Sequence, residues 1–266
     1  MTARGPSGVQ GARWPFHAAV GIIFLFLYVP LAVLVLFSFN ESRFLVFPLT
    51  DLSLKWYYVL WSNADIQRSI LNSVLVAIVV VPCTLVIGIP LAFGFARHRF
   101  FGSLALERLT LVPLIVPGLI TGLGILLLAR QVGVSLSLGT VILGHTVGWL
   151  PIVVTQVAAR LRRLDRRLEE ASADLGATPW QTFWRVTFPG IRNAVLGSAL
   201  LVMTLSLNEV AITFFLTGSA NTLPMHIWSM LRQGITPEIN AIATVTIALS
   251  AVVVVLALRL LRRIDD

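Results

Sequence analysis

One lysine, Lys55, and one cysteine, Cys83, are all that this 266-residue sequence holds of either type. A phosphate-binding loop needs a lysine directly after its glycines, and no glycine loop precedes Lys55, so the chain cannot hold ATP in that way. Cys83 lies inside an apolar run, which removes both a disulfide framework and a cysteine metal site. His17, His98, His145 and His226 are scattered, without the paired spacing of a metal site and without an acid beside them in sequence. No metal or cofactor is therefore expected on this chain, and intramembrane hydrolase chemistry has no constellation to rest on. Charge is scarce as well: only 12% of residues are charged, and just 12 of them are acidic.

What the chain has instead is apolar length. Hydrophobic residues make up 57% of it and the mean hydropathy is +0.88, the balance of a polytopic membrane protein and not of a soluble domain. Uncharged or nearly uncharged runs predict six transmembrane helices, at about 18–39, 70–95, 109–129, 138–159, 194–216 and 239–258. The first run exceeds the apolar core of a signal peptide and is expected to stay as an uncleaved span. Pro82 and Pro90 fall inside the second run, and Pro113 and Pro117 inside the third, where Gly118, Gly122 and Gly124 form a small-residue face that admits another backbone. Gly144 and Gly148 repeat that pattern in the fourth.

The net charge of +8 reads as topology and not as nucleic-acid binding, because the basic residues flank apolar spans. Six spans put both termini on one side. Arg4, Arg13, Arg97, Arg99, Arg108, Arg160, Arg162, Arg163, Arg166, Arg167, Arg185, Arg192, Arg259, Arg262 and Arg263 then face the cytoplasm, against Arg43, Lys55, Arg68, Arg130 and Arg232 outside. The positive-inside rule sets that orientation. The outside segment 40–68 carries Leu52, Leu54, Trp56, Tyr57, Tyr58, Leu60 and Trp61, which suits either the water–lipid interface or a packed loop. A second outside loop, 217–238, contains a predicted short helix over 224–233.

The polar stretch from Glu169 to Pro189 interrupts this apolar plan within a cytoplasmic loop, 160–193. Its punctuation predicts two short helices and a tight turn. The first runs through Glu169, Glu170, Ala171, Ser172, Ala173 and Asp174 and stops at Gly176. Thr178 then offers an N-cap, Pro179 the first helical position and Gln181 the capping-box partner, with Pro189 closing the segment.

Glu170, Ala171, Gly176, Val186, Phe188 and Pro189 reproduce the spacing of the EAA-type loop of ATP-binding-cassette importer permeases, with Ser172, Val186 and Phe188 as modest departures. Trp56-Tyr57, Asn72-Ser73, Leu223-Pro224, Ile227-Trp228-Ser229-Met230, Gly234, Pro237, Glu238, Asn240, Ala241 and Thr244 extend the likeness along the chain. On these residues the sequence resembles the PotC-type permease subunits of polyamine (spermidine/putrescine) importers. The resemblance implies an all-α polytopic membrane protein, a single permease domain over 1–266 with six transmembrane helices of the type I importer (MetI-like) architecture, in a bacterial inner membrane. It implies as partners a second homologous permease, two ATPase subunits that carry ATP and magnesium, and an extracytoplasmic substrate-binding protein. It also makes the chain a non-catalytic subunit, with Glu170, Ala171, Asp174, Gly176 and Pro189 coupling it to the ATPase.

Glu209 is an ionisable residue inside a span, which is costly and marks a bundle interior or a wet path. With Asn208 beside it, Glu209 is the candidate for lining a path for a cationic amine, against a structural hydrogen bond to a neighbouring helix. Relatives carry an acidic pair here, and Asn208 removes one charge of it. The alternatives are the same machinery serving an opine, aminoethylphosphonate, another amino compound or ferric ion, and a stand-alone secondary transporter, for which Glu209 alone provides few intramembrane ionisable groups.

Overall fold

A computed structural model describes residues 13–42, 49, 51–98, 100–234 and 236–265, and among them every regular element is a helix. Arg4, Arg43 and Arg99, counted above for orientation, lie outside the described residues, as do the side chains of Arg13, Arg262 and Arg263. Two compact units result, one formed by 1–62 with 234–249 and the other by 63–233 with 250–266.

In the first unit, α1 (Arg13–Ser38) is followed by the short α2 (Lys55–Ser62). The turn between them closes through an antiparallel bridge from Asn40 to Leu52. Trp56 is buried and its Nε1 donates to the Asn40 carbonyl at 2.7 Å, while the Tyr57 hydroxyl meets Ser38 Oγ at 2.7 Å. Tyr58 and Trp61 on the same helix are exposed. The aromatic cluster thus divides: one face packs the loop, and the other stays outward in the manner of an interfacial helix. The last helix, α13 (Pro237–Asp265), begins in this unit.

The second unit is organised on α3 (Ala64–Arg97), α7 (Leu138–Arg163) and α10 (Phe188–Leu207), whose buried Val76, Val80, Val153, Val157, Ile191 and Val202 form its core. Asn63 caps α3 by accepting from the amides of Asp65 and Ile66, and the helix continues through Pro82 and Pro90. Between α3 and α7 lie α4 (Ser103–Thr110), α5 (Val112–Ile115) and α6 (Gly118–Gln131). The path through Ser103–Ile115 and Gly118–Gln131 bends by 106°. Val116, ahead of Pro117, takes the extended backbone that a following proline favours (φ −74°, ψ 129°), and the single helix expected over 109–129 is broken there.

The run expected over 194–216 is divided too. α10 ends at Leu207 and α11 (Ala211–Leu216) starts anew, because Glu209 Oε1 accepts from the Ile212 amide at 2.9 Å and offers the backbone an alternative to the continuous ladder. Ile212 then drives α11 against α6 and α7. A Cβ at Gly122 would stand 3.0 Å from the Ile212 carbonyl, and one at Gly148 would stand 2.9 Å from Ile212 Cδ1. The glycine faces read from the sequence therefore do admit a close helix, although Gly124 faces open space.

Among the described residues four helices are long and apolar enough to cross a membrane, Phe16–Ser38, Ala64–Arg97, Leu138–Arg163 and Pro179–Leu207; the bent pair adds a further candidate, and α13 has an apolar stretch over Pro237–Val252. The fourth of these begins 15 residues before the expected 194, because helix continues from Pro179 through Pro189. A π-helical stretch, Phe183–Thr187, with the Phe188 amide reaching the Phe183 carbonyl, supplies the wider turn in which Pro189 sits without ending the helix. Pro189 thus opens α10, and does not close the polar segment.

Candidate coupling hairpin and translocation residues

The polar stretch forms a helical hairpin whose ends are set by local chemistry. α8 (Arg166–Asp174) starts at Asp165, whose side chain accepts from the Arg167 amide, and stops at a Schellman turn. There the Gly176 amide donates to Ala173 at 2.8 Å, the Ala177 amide donates to Ser172 at 3.1 Å, and Gly176 takes φ +81°. α9 (Pro179–Thr182) opens with the reciprocal Thr178–Gln181 box: Thr178 N donates to Gln181 Oε1 at 2.9 Å and Gln181 N to Thr178 Oγ1 at 3.4 Å. Ser172 Oγ and Thr182 Oγ1, 3.1 Å apart, tie the two helices together.

The outward face of the hairpin is apolar and acidic. Leu175 is 89% and Trp180 69% exposed, and Ala171, Glu170 and Asp174 are exposed too, the last two one helical turn apart. A shallow cavity of about 470 Å³ runs over this face, bordered by Leu168, Ala171, Leu175, Gly176 and Gln181. An exposed apolar patch rimmed by charge is the chemistry of a protein contact.

The inward face is bolted to the end of α3. Arg97 Nη2 donates to Glu169 Oε1 at 3.1 Å, and Arg97 Nε stands 3.1 Å from Glu169 Oε2, although it is not aligned for a hydrogen bond. Thr187 Oγ1 donates to the same Glu169 Oε1 at 2.9 Å. One turn before Arg97, Phe93 meets Phe183 edge-on at 6.5 Å, at the end of an aromatic row through Trp180, Trp184 and Phe188. The neighbouring arginines also have partners within the chain: Arg160 donates to the Gly190 carbonyl, Arg162 pairs with Glu107 at 2.7 Å, and Arg166 donates to the Arg97 carbonyl.

Glu209 and Asn208 stand at the break between α10 and α11. Glu209 is half-buried, capping α11 as described, and its Oε1 would lie 3.6 Å from a Cβ at Gly118. Asn208 is exposed and its Nδ2 donates back to the Thr204 carbonyl at 2.8 Å. The break is held from α7 by His145, which is fully buried: Nδ1 lies 2.9 Å from Ser206 Oγ on one side of the gap and Nε2 lies 2.8 Å from Thr213 Oγ1 on the other. At the far end of α3 a polar cavity of about 600 Å³ is lined by Asp65, Arg68, Asn72, Asn221 and His226. It lies between α3 and α12 (Leu223–Gln233), the short helix expected over 224–233.

Residues 84–266 match the family model described as binding-protein-dependent transport system inner membrane component. The chain belongs to that family. Among its curated relatives, the putrescine transport system permease protein PotI of Escherichia coli (strain K12) is 36% identical over 95% of this chain and 93% of its own length. The spermidine/putrescine transport system permease protein PotC of Haemophilus influenzae is 32% identical over 93% and 96%. The fold recurs in two solved transporters of low identity. One is a bacterial ABC transporter for the import of alginate, with TM-score 0.74 at 16% identity over 96% of this chain and 99% of that one. The other is the MetNI methionine ABC transporter, with TM-score 0.64 at 20% identity over 80% and 99%.

Within this family member, sequence reasoning singled out Glu170 and passed over Glu169, Arg97 and His145. In the sequence Arg97 reads as a topology anchor and His145 as one of four scattered histidines. Their partners lie 72 residues away for Arg97, and 61 and 68 residues away for His145, so no local spacing could reveal them.

Proposed function

We propose that this chain is a membrane subunit of an ATP-binding-cassette importer, that it forms part of the path for a small cationic amine of the polyamine class, and that ATP is hydrolysed on a partner subunit. The observation that carries the reading is the hairpin: a rigid helix–glycine–helix unit with Leu175 and Trp180 exposed on one face and Glu169 fastened to a span on the other. Such a unit is a lever. A protein that did no more than fill the membrane would have no use for it. Glu170, Ala171, Asp174 and Gly176 form its contact face toward the ATPase, and Pro189 marks where the lever enters α10.

The rest of the machine follows from membership in the family and from the relatives named for putrescine and spermidine. Six spans with both ends in the cytoplasm put the hairpin on the ATPase side, in keeping with the excess of arginine there. A second permease subunit, two ATPase subunits and an extracytoplasmic binding protein complete the assembly in the bacterial inner membrane. Glu209 supplies the negative charge of the path. Capping of α11 occupies Oε1 with a backbone amide, which orients the carboxylate and leaves Oε2 to face a cation.

The reading is tested by co-purification and uptake. Tagged chain expressed with its genomic neighbours should bring down an ATPase and a second permease, and vesicles holding the complex should take up putrescine or spermidine only with ATP and binding protein. Proton-driven uptake by the chain alone would overturn it.

A further inference from the structure

We propose that Arg97 and Glu169 form a positioning joint that makes the hairpin and α3 move as one body, and that α3 carries this movement to the loop ahead of α12. The inference rests on the importer reading, and goes beyond it by naming the element that transmits force within the subunit.

The joint is unusually well fastened for a loop that must meet another protein. The Arg97 side chain is only 3% exposed, and a buried guanidinium without a partner would be strongly destabilising. The groups that fasten the pair come from three parts of the chain. Glu169 of α8 faces Arg97, the Leu164 carbonyl at the end of α7 accepts from its Nη2 at 3.3 Å, and Thr187 of the π-helical stretch holds the Glu169 carboxylate from behind. The fastening is reciprocal, because Arg166 of α8 donates to the Arg97 backbone carbonyl. Phe93, four residues earlier and so on the same face of α3, adds an apolar contact with Phe183. Glu170 and Asp174, by contrast, are exposed, Glu170 at the edge of the groove that Arg97, Arg166 and Arg167 also line. Adjacent glutamates therefore differ in role: Glu169 is held within the chain by Arg97 and Thr187, and Glu170 stays open to a partner.

From this joint α3 runs without interruption for 34 residues, a length of about 51 Å at 1.5 Å per residue. Its other end is fastened as well. Asn72 Nδ2 donates to the Asn221 carbonyl at 2.8 Å, and Ser73 Oγ accepts from the Leu223 amide at 2.8 Å, so the segment ahead of α12 hangs on α3 by two bonds. The first of these bonds, between Asn72 and Asn221, borders the polar cavity of Asp65, Arg68 and His226. A helix fixed at both ends gives a displaced hairpin a stiff route to this cavity, and linkage requires that an event at the cavity act back on the hairpin.

The experiment uses the full chain in its assembled transporter, reconstituted in lipid vesicles with binding protein, with putrescine and spermidine as probes. The readouts are ATPase subunit retained on purification and substrate taken up per ATP hydrolysed. Arg97→Ala and Glu169→Ala are expected to retain the ATPase and to lower uptake per ATP roughly tenfold, within the 5–150-fold usual for coupling between sites. The double variant should lose no more than either single one, and the exchange Arg97→Glu with Glu169→Arg should raise the ratio above both. Glu169→Gln keeps shape and the Thr187 bond, so it guards against simple misfolding; it should reach normal membrane levels with a reduced ratio. Asn72→Ala should weaken stimulation of hydrolysis by loaded binding protein. Single variants with the wild-type ratio, additive loss in the double variant, or loss of the ATPase subunit from the single variants would each overturn the joint, and full stimulation in Asn72→Ala would overturn the route through α3. Failure of the unmodified chain to couple ATP to uptake would instead refute the importer reading.

Discussion

Replacing Gly176 isolates one physical variable, its backbone angle. The residue sits at φ +81°, and a Cβ built there meets no atom within 4 Å, so a larger side chain would be strained by conformation and not by collision. For an ordinary L residue the left-handed conformation costs about 1–2 kcal/mol, which lowers the population of the bent hairpin by roughly 5–30-fold relative to straightened forms. Gly176→Ala should therefore cut uptake per ATP by up to that factor. Gly176→Val should cut it further, since a β-branched side chain tolerates positive φ least, and Gly176→Asn should lose little, since asparagine is the usual substitute at such helix ends. The measurement is uptake per ATP in vesicles at matched membrane levels of the chain. An equal loss in all three variants would show that something other than φ is at stake, and wild-type coupling in Gly176→Val would refute the account of the turn.

Three further outcomes are expected. Glu209→Gln removes the charge while preserving an oxygen for the Ile212 amide, so it should keep the fold and lower the affinity or rate for a dication; unchanged kinetics and selectivity in an uptake assay would leave Glu209 with its capping role alone. Leu175→Ala and Trp180→Ala strip exposed apolar surface and should weaken retention of the ATPase subunit, each by about 1–3 kcal/mol if that surface is fully buried in the complex, and retention at wild-type affinity would remove the patch from the interface. His145→Leu leaves Ser206 and Thr213 without their buried partner, costing about 1–3 kcal/mol, and should lower the melting temperature in detergent; an unshifted transition would contradict its role as the bolt across the helix break.

The features legible in the sequence are those set by neighbours in the chain. The stop at Gly176, the Thr178–Gln181 box and the short helix at 223–233 depend on a few adjacent residues, and their boundaries fall where spacing puts them. Proline was ambiguous, because its effect depends on what surrounds it. Pro82 and Pro90 lie within a continuous helix, Pro117 ends one, and Pro189 is absorbed by a π-helical turn, although all four stand in or beside apolar runs. The gap at Asn208–Val210 is illegible for a related reason: a carboxylate in an apolar run reads as a group for cargo or a neighbouring helix, and nothing in the spacing shows that Glu209 also caps the helix that follows it. The Arg97–Glu169 pair and the His145 bolt are contacts between distant segments, and they emerged only when α3, α7, α8 and α10 were brought together. The EAA-type spacing marks the hairpin and its exposed Glu170, and says nothing of Glu169, which Arg97 and Thr187 hold.

The most direct test of the account is to reconstitute this chain with its second permease, ATPase and binding protein, and to follow labelled putrescine into vesicles with and without ATP. The account predicts accumulation that requires ATP, the binding protein and an intact hairpin together. Accumulation by the chain alone under a proton gradient, or a purified chain that brings down no ATPase, would contradict it.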